Sequence, residues 1–210
     1  ALANGYLLVA LLFIEQGVHQ AIVQRREVSP EHLNAAFLLS MTLAVLLAGL
    51  TLILAGPIAS LFGEPALEPV VGWLSLSLVL AGLRATQTAL LQRQFRFREL
   101  AIRTASAEAA GGVVGIAMAL AGMGVWSLVG QALARGVAGV VAHWWVSSWR
   151  PGWKVLRAPL RDLTKFGTPV VADRLVMLVQ EKADDILIGL VHGAAALGYY
   201  SVGYRLLTYL

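Results

Sequence analysis

Polar side chains recur inside long apolar stretches of this chain, at spacings that place them on single faces of helices. In the first apolar stretch, residues 5–24, they occupy one arc of a helix that turns 100° per residue. In the fifth they recur every four residues, and in the sixth they share an arc of roughly 140°. The members are Glu15, Gln16, His19 and Gln20; Gln131, Arg135, Gly139 and His143; and Asp173, Arg174, Met177, Gln180, Glu181, Asp184 and Asp185, with Lys182 beside them. Such faces can bind a polar or charged ligand, and their carboxylates can exchange protons.

The sequence carries only weak motifs of metal and enzyme sites. Glu15 and His19 at i, i+4 resemble half a metal site, but there is no second histidine at the required spacing nearby and the chain has no cysteine. The Asp184–Asp185 pair resembles the carboxylate pairs of metal-diphosphate enzymes, but a single pair in a helix is low in specificity. Cavity lining or cation coordination explains the pair better than catalysis does. The sequence contains no G-x-S-x-G, Walker loop or G-x-G-x-x-G in a strand-to-helix context. We therefore predict no enzyme, no metal and no cofactor.

The composition indicates the environment of these helices. Of the 210 residues, 58% are hydrophobic and 13% are charged, and the mean hydropathy is +0.73. Soluble domains have about half apolar and about a quarter charged residues, and one core could not bury this much apolar surface. A soluble enzyme is therefore excluded. The net charge of +4 comes from cations placed between apolar runs, which is typical of membrane topology rather than of a nucleic-acid partner.

Apolar runs long enough to span a bilayer need about 20 residues. The chain contains six complete runs and part of a seventh on that criterion, separated by Gly- and Pro-containing segments. They are residues 5–24, 33–62, 67–92, 100–123, 125–146 and 166–191, and then 195 to the end. The sequence predicts an all-α fold, a polytopic transmembrane helix bundle, and we interpret the chain as an internal fragment of a longer protein.

Lysine and arginine fill every second connection. Arg25 and Arg26 follow the first run, four arginines lie around the junction of the third and fourth, and five cations lie in 147–165. The intervening connections contain neither residue type. By the positive-inside rule the basic connections are cytoplasmic. The segment 147–165, the longest polar stretch, is predicted to be a linker between two parts of the protein, with its tryptophans and cations at anionic lipid.

Two explanations of the intramembrane charges remain open. A charge at the bilayer centre costs about 2.5–3.5 kcal/mol, so it should face a cavity or a partner. Arg84 and Gln87 in the third run and Glu108 in the fourth extend the polar faces. Alternatively, Arg84, Arg103 and Arg174 snorkel or pair with Glu108 and Asp173 and only hold helices together. The spacing of Gly111 and Gly115 permits close helix approach, and packing is the sufficient explanation for it.

Several stretches together resemble one family of membrane proteins. They are AIVQRR at 21–26, LFGEP at 61–65, ALLQRQFRFR at 89–98, GVWSL at 124–128, WRP at 149–151, DDILIG at 184–189 and AALGYYS at 195–201. The chain resembles the polysaccharide biosynthesis (oligosaccharide flippase) family of the multidrug/oligosaccharidyl-lipid/polysaccharide (MOP) exporter superfamily. The resemblance implies two six-helix lobes. Residues 1–146 would be the remainder of the first lobe, 147–165 the cytoplasmic linker, and 166–210 the start of the second lobe.

The resemblance also implies a function. It implies flipping of an undecaprenyl-diphosphate-linked oligosaccharide across the bacterial inner membrane by alternating access, coupled to an H⁺ or Na⁺ gradient. The partners would be the lipid-linked glycan, membrane lipids and other polysaccharide-assembly membrane proteins. Candidates for diphosphate contact are Arg84, Arg135 and Arg174; for sugar contact Gln16, His19, Gln20, Gln87 and Gln131; and for ion coupling Glu15, Glu181, Asp184 and Asp185. Of these, only Asp184 falls on a position of the family pattern, in the Asp-x-x-x-x-Gly stretch ending at Gly189. The other assignments are hypotheses from helical geometry.

Two other functions compete with the flippase. A multidrug/cation antiporter of the same superfamily would favour an acidic and aromatic cavity, so the intramembrane arginines count against it. A membrane-embedded glycan polymerase or ligase would need a large periplasmic loop for its acceptor chemistry. The non-basic connections of this chain are only a few residues long.

Overall fold

Four long helices make up most of the part of the chain that the structure, a computed structural model, describes. That part comprises residues 27–61, 65–147 and 149–152, with shorter pieces at 11, 14, 19–23, 25, 160, 161, 163–165, 169, 172, 173, 176, 177 and 180. The helices are α1 (Pro30–Leu61), α2 (Leu67–Arg93), α3 (Phe97–Leu120) and α4 (Trp126–Val146). No strand occurs among these residues, in agreement with the predicted all-α class.

The helix ends follow local rules of sequence. Pro30 opens α1, where its missing N–H costs nothing, and His32 Nδ1 accepts from the Ser29 backbone N–H (3.3 Å). The turn between α3 and α4 contains Gly122 and Gly124 at φ +77° and +55°, a conformation that a side chain would strain. The predicted break at 122–124 is therefore confirmed.

The junction of α2 and α3 differs from the prediction. We predicted a basic connection reaching residue 100, but α3 begins at Phe97, and only residues 94–96 connect the two helices. Arg98 is therefore helical, as Arg103 was already predicted to be. The physical reason is a side-chain ladder: Glu99 pairs with Arg96 and Arg103, at the i, i+3 and i, i+4 spacings that stabilise a helical turn.

Close approaches at glycines define how the helices pack. A Cβ on Gly82 of α2 would lie 2.7 Å from Ala44 Cβ of α1, and one on Gly136 of α4 would lie 2.7 Å from Leu80 Cδ1 of α2. A Cβ on Gly111 of α3 would lie 2.8 Å from Arg135 Cβ of α4. The spatial order is therefore α1, α2, α4, α3, with α1 antiparallel to α2, α2 parallel to α4, and α4 antiparallel to α3.

The basic segments lie together at one end of this helix bundle. Arg93 at the end of α2 donates to the carbonyls of Ile22 (3.0 Å) and Val23 (3.5 Å), and also to that of Arg25. We call residues 19–23 and 25 the first segment. Leu163, which belongs to the basic segment 147–165, is buried in one apolar cluster with Ala21 and Ile22 of the first segment. The predicted alternation is thus reproduced in the described residues: the basic connections share one end, which we call the basic end.

Length and composition single out α1, over Pro30–Ser60, and α2 as able to cross a membrane. Helices α3 and α4, of 24 and 21 residues, extend about 36 and 32 Å at 1.5 Å per residue. Large apolar side chains of α1 such as Ile53 point outward, 74% exposed. The chain divides into two compact units, 1–171 and 172–210. Of the second, the structure describes residues 172, 173, 176, 177 and 180, all helical and exposed.

Candidate functional site

A row of polar side chains lies where α2, α3 and α4 face one another. We call it the polar seam, and its members are Arg84 of α2, Arg103 and Glu108 of α3, and Gln131, Arg135 and His143 of α4. On α3 the buried positions are only Arg103, Ala107, Gly111 and Gly115, one residue per turn. This stripe of α3 contacts the stripe of α4 that the sequence predicts. The sequence therefore correctly placed the α4 residues on one face: Gln131, Arg135, Gly139 and His143.

Gly111 and Gly115 allow the backbones of α3 and α4 to meet. Cβ atoms added to Gly111 and Gly115 would lie 2.9 Å from the Gln131 carbonyl oxygen and 2.9 Å from Gln131 Cβ, respectively. The packing explanation given for these glycines is confirmed. Gln131 is half-buried in this contact, so it is partly a packing residue and its predicted sugar contact stays a prediction.

The centre of the seam holds an ion pair. Arg135 Nη1 lies 3.5 Å from Glu108 Oε2. Each of the two residues is eleven positions from the basic end of its helix, about 16 Å, which is half of a hydrocarbon core of about 30 Å. The side chains of Arg135 and Glu108 are 43% and 56% exposed, so the pair lies at the edge of the α3–α4 contact. Among the described residues, the ion-pair partner of Glu108 is therefore Arg135 rather than Arg84 or Arg103. Arg174, the third arginine considered from the sequence, lies outside the described residues.

Nearer the basic end, Arg84 reaches across to α4. A Cβ on Gly139 would lie 3.4 Å from Arg84 Nη1 and 3.8 Å from Ala107 Cβ. The buried His143 ring is fixed one turn further along α4, since its Nδ1–H donates to the Gly139 carbonyl (2.7 Å). Arg84 thus lies among three helices. This position is compatible with both explanations given for the intramembrane arginines, which are that they line a cavity or that they only hold helices together.

Gln87 and His19 lie in helix contacts. Gln87 is fully buried, and in the orientation that satisfies its amide it donates to the Leu83 carbonyl (2.8 Å) and accepts from Trp144 Nε1 (3.3 Å). His19 Nε2 donates to Gln92 Oε1 (2.5 Å), which places His19 at the basic end. Gln20, its neighbour, is half-buried. Their roles in sugar binding stay predictions, although in this conformation Gln87 is used in packing α2 against α4.

Other predicted site residues lie outside the described part of the chain. They are Glu15, Gln16, Arg174, Glu181, Asp184 and Asp185. The described neighbours of the last four, Asp173, Met177 and Gln180, are exposed at i, i+4 and i+7. Within the described residues, no group of three or more His, Asp or Glu side chains is placed to hold a metal ion.

Three arginines make contacts that the sequence interpretation did not predict, although it did consider Arg103 as an arginine that holds helices together. Arg93 binds the carbonyls of the first segment. Arg150 donates to the Trp144 carbonyl (3.0 Å) and stacks 5.7 Å from the centre of that ring. Arg103 is buried and holds Glu99 at 3.0 Å. The i, i+3 and i, i+4 spacing of Arg96, Glu99 and Arg103 is the sequence signal that could have identified the last contact.

Three curated proteins resemble this chain over 90–96% of its length. It is 26% identical to the teichuronic acid biosynthesis protein TuaB of Bacillus subtilis, over 95% of this chain and 42% of that protein. It is 23% identical to the succinoglycan biosynthesis transport protein ExoT of Rhizobium meliloti (90% and 38%), and 22% identical to the lipopolysaccharide biosynthesis protein WzxC of Escherichia coli (96% and 43%).

The chain therefore spans about two fifths of the length of these relatives. No solved structure matches it significantly. Its match to a family described as polysaccharide biosynthesis protein extends over residues 1–210. Together with the two apolar helices, this match indicates a helical membrane protein. The chain belongs to the polysaccharide biosynthesis protein family.

Proposed function

We propose that the protein flips an undecaprenyl-diphosphate-linked oligosaccharide across the bacterial inner membrane for surface polysaccharide synthesis. The family match over the whole chain carries this proposal. The names of the three relatives support it, since they refer to teichuronic acid, succinoglycan and lipopolysaccharide biosynthesis, and one is called a transport protein. The activity is transport rather than catalysis.

The topology that we propose has six complete spanning helices in this chain and the start of a seventh. The grouping of basic segments at one end supports a cytoplasmic location for that end, by the positive-inside rule. Residues 147–165 then join two lobes at the cytoplasmic face. Transport proceeds by alternating access of the lobes, coupled to an H⁺ or Na⁺ gradient.

The polar seam supports a binding role within the first lobe. A diphosphate-sugar headgroup is anionic and polar, so it needs cations and hydrogen-bonding groups, while the prenyl tail can stay in lipid. Arg135 is the best-placed candidate for the diphosphate, because it is partly exposed at mid-depth and Glu108 holds it in place. Arg84 and Arg174 are the further cations, the amides contact sugar, and the carboxylates at 15, 181, 184 and 185 exchange the coupling ion.

The test is complementation in a strain lacking its own glycan flippase. The full-length gene should restore surface polysaccharide, and Arg135→Ala should abolish it while the protein is still inserted in the membrane. Arg98→Ala, which removes an exposed arginine of α3, is the matched control and should complement normally. Normal export by Arg135→Ala and Arg174→Ala would refute the diphosphate assignment. Failure of the wild-type gene with several donor glycans, together with drug efflux, would support the antiporter instead.

A further inference from the structure

Two buried nitrogen atoms of the polar seam have no hydrogen-bond partner among the residues that the structure describes. They are Arg103 Nη1 and His143 Nε2. The two residues are only 5% and 3% exposed. Leaving a buried polar group without a hydrogen bond destabilises the folded state, and a charged group does so more than a neutral one. Two such atoms in one place therefore indicate a site that is completed by something else.

The helix register places the two residues that carry these atoms at the same level of the α3–α4 contact. The antiparallel pairing that sets Gly115 against Gln131 and Gly111 against Arg135 puts Ala107 beside Gly139. One turn further towards the basic end, the same register sets Arg103 level with His143. Arg103 and Arg84 both lie close enough to His143 to act on it electrostatically. Residues from α2, α3 and α4 thus converge on one point.

The charges around this point are mainly positive. Glu99 accepts from Arg103 Nη2 (3.0 Å) and, through both carboxylate oxygens, from Arg96 (2.7 and 2.6 Å). Two arginines share this carboxylate, so the Arg96–Glu99–Arg103 group has one positive charge in excess. Arg84 adds a guanidinium from α2. Glu99 binds Nη2 of the Arg103 guanidinium, so Nη1 takes no part in this ion pair.

The hydrogen bond of His143 to Gly139 determines whether its other ring nitrogen, Nε2, acts as a donor or an acceptor. A carbonyl oxygen can only accept, so the contact to Gly139 requires the proton on Nδ1. In the neutral ring Nε2 is then an acceptor, and it becomes a donor when the ring is protonated. Beside Arg103 Nη1–H, a protonated His143 supplies the second donor that an oxyanion needs.

The depth of the pair suits a lipid phosphate. Arg103 lies six residues into α3 and His143 three residues before the end of α4, about 9 Å and 5 Å from the basic end. Headgroups and interfacial regions add about 5–8 Å to each side of the hydrocarbon core. We propose that Arg103 and His143 form a phosphate-binding site at the basic end of the α3–α4 contact, with His143 taking up a proton when the anion binds.

This inference deepens the proposed function, on which it rests only for the identity of the phosphate carrier. The site would hold the diphosphate near the entry side, before the headgroup reaches the Glu108–Arg135 pair. A bulk anionic phospholipid presents the same chemistry. The anion site itself can be tested without glycan transport, so failure of one proposal is distinguishable from failure of the other.

The experiment measures binding of inorganic pyrophosphate to the full-length protein in phosphatidylcholine nanodiscs by calorimetry. Arg103→Gln and His143→Gln should each weaken binding about tenfold or more, as expected for a lost charged hydrogen bond. Arg98→Gln removes the same charge from an exposed position of α3 and should change affinity less than about twofold. Thermal unfolding of every variant shows whether it is folded.

The pH dependence separates the proposal from nonspecific charge. As the pH rises, wild-type affinity should fall relative to that of His143→Gln, because only the wild type loses the histidine donor, whereas pyrophosphate ionises alike in both experiments. If Arg103→Gln does not fold, Arg103→Lys keeps the charge and should still weaken binding, because it loses the planar fork. Absence of wild-type binding, or equal losses in Arg98→Gln, would overturn the proposal.

Two competition arms distinguish the sources of phosphate. Displacement of pyrophosphate by undecaprenyl phosphate, but not by phosphatidylglycerol in the nanodisc, assigns the site to the glycan carrier. Displacement by phosphatidylglycerol assigns it to bulk lipid. If neither lipid displaces pyrophosphate, the site is not a lipid-phosphate site and the proposal fails.

Discussion

Substituting Gly111 by alanine tests the close contact of α3 and α4 on which the polar seam depends. The added Cβ would lie 2.8 Å from Arg135 Cβ and 2.9 Å from the Gln131 carbonyl oxygen. Normal contacts are about 3.5–4.0 Å, so the two helices must separate locally by about 1 Å. Both neighbouring atoms are on or next to the backbone and cannot rotate away. The neighbouring Gly112 is the matched control, because a Cβ there meets nothing within 4 Å.

Each change replaces glycine by alanine in the same turn, so the gain in helix propensity, about 1 kcal/mol, cancels between the variants. The remaining difference is the cost of overpacking, about 1–3 kcal/mol. We expect Gly111→Ala to have a free energy of unfolding lower by that amount than Gly112→Ala. The assay is denaturation of the full-length protein in mixed micelles, followed by tryptophan fluorescence. Equal stability of the two variants would refute the proposed α3–α4 contact.

Three further changes test other contacts by the same unfolding assay. Arg93→Gln should lower the free energy of unfolding by roughly 1.5–3 kcal/mol, because Arg93 binds the carbonyls of the first segment, whereas Arg98→Gln should have little effect; equal losses would contradict this role. Phe95→Gly should raise stability by about 0.5–1 kcal/mol, since Phe95 has φ +56° and an 80% exposed side chain, and a loss would indicate that the ring has a stabilising contact. A double-mutant cycle on Glu108→Gln and Arg135→Gln should give a coupling of about 0.2–1 kcal/mol, and zero coupling would show that the ion pair contributes nothing to stability.

Periodicity and glycine placement predicted much of the fold. Apolar runs located α1 to α4 within about three residues, and Gly122 and Gly124 located a turn, because these signals are local. The alternation of basic connections predicted that they share an end. The junction of α2 and α3 was misjudged because charged residues were assigned to a connection. The pairing of Glu99 with two arginines makes that segment helical.

The partners of polar side chains were harder to predict, because they depend on which helices become neighbours. The pairing of Glu108 with Arg135 follows from the contact of α3 with α4, and the burial of Gln87 follows from the approach of Trp144. Neither neighbour relation is encoded in the spacing of one helix. The same applies to Arg103 and His143, which are forty residues apart in the chain.

A polar stripe in an apolar helix shows that the stripe avoids lipid, but not whether it faces a cavity or another helix. The seam contains both situations. Gln131 packs on Gly115, whereas Arg135 and Glu108 lie at the edge of the same contact with substantial exposure. In a low dielectric environment a pair that serves only packing should couple strongly, since breaking it leaves a charge without its partner. A hydrated pair should couple weakly, as surface pairs do. A small coupling energy combined with loss of glycan export in Arg135→Ala would therefore favour a hydrated, ligand-accessible site over a structural clamp.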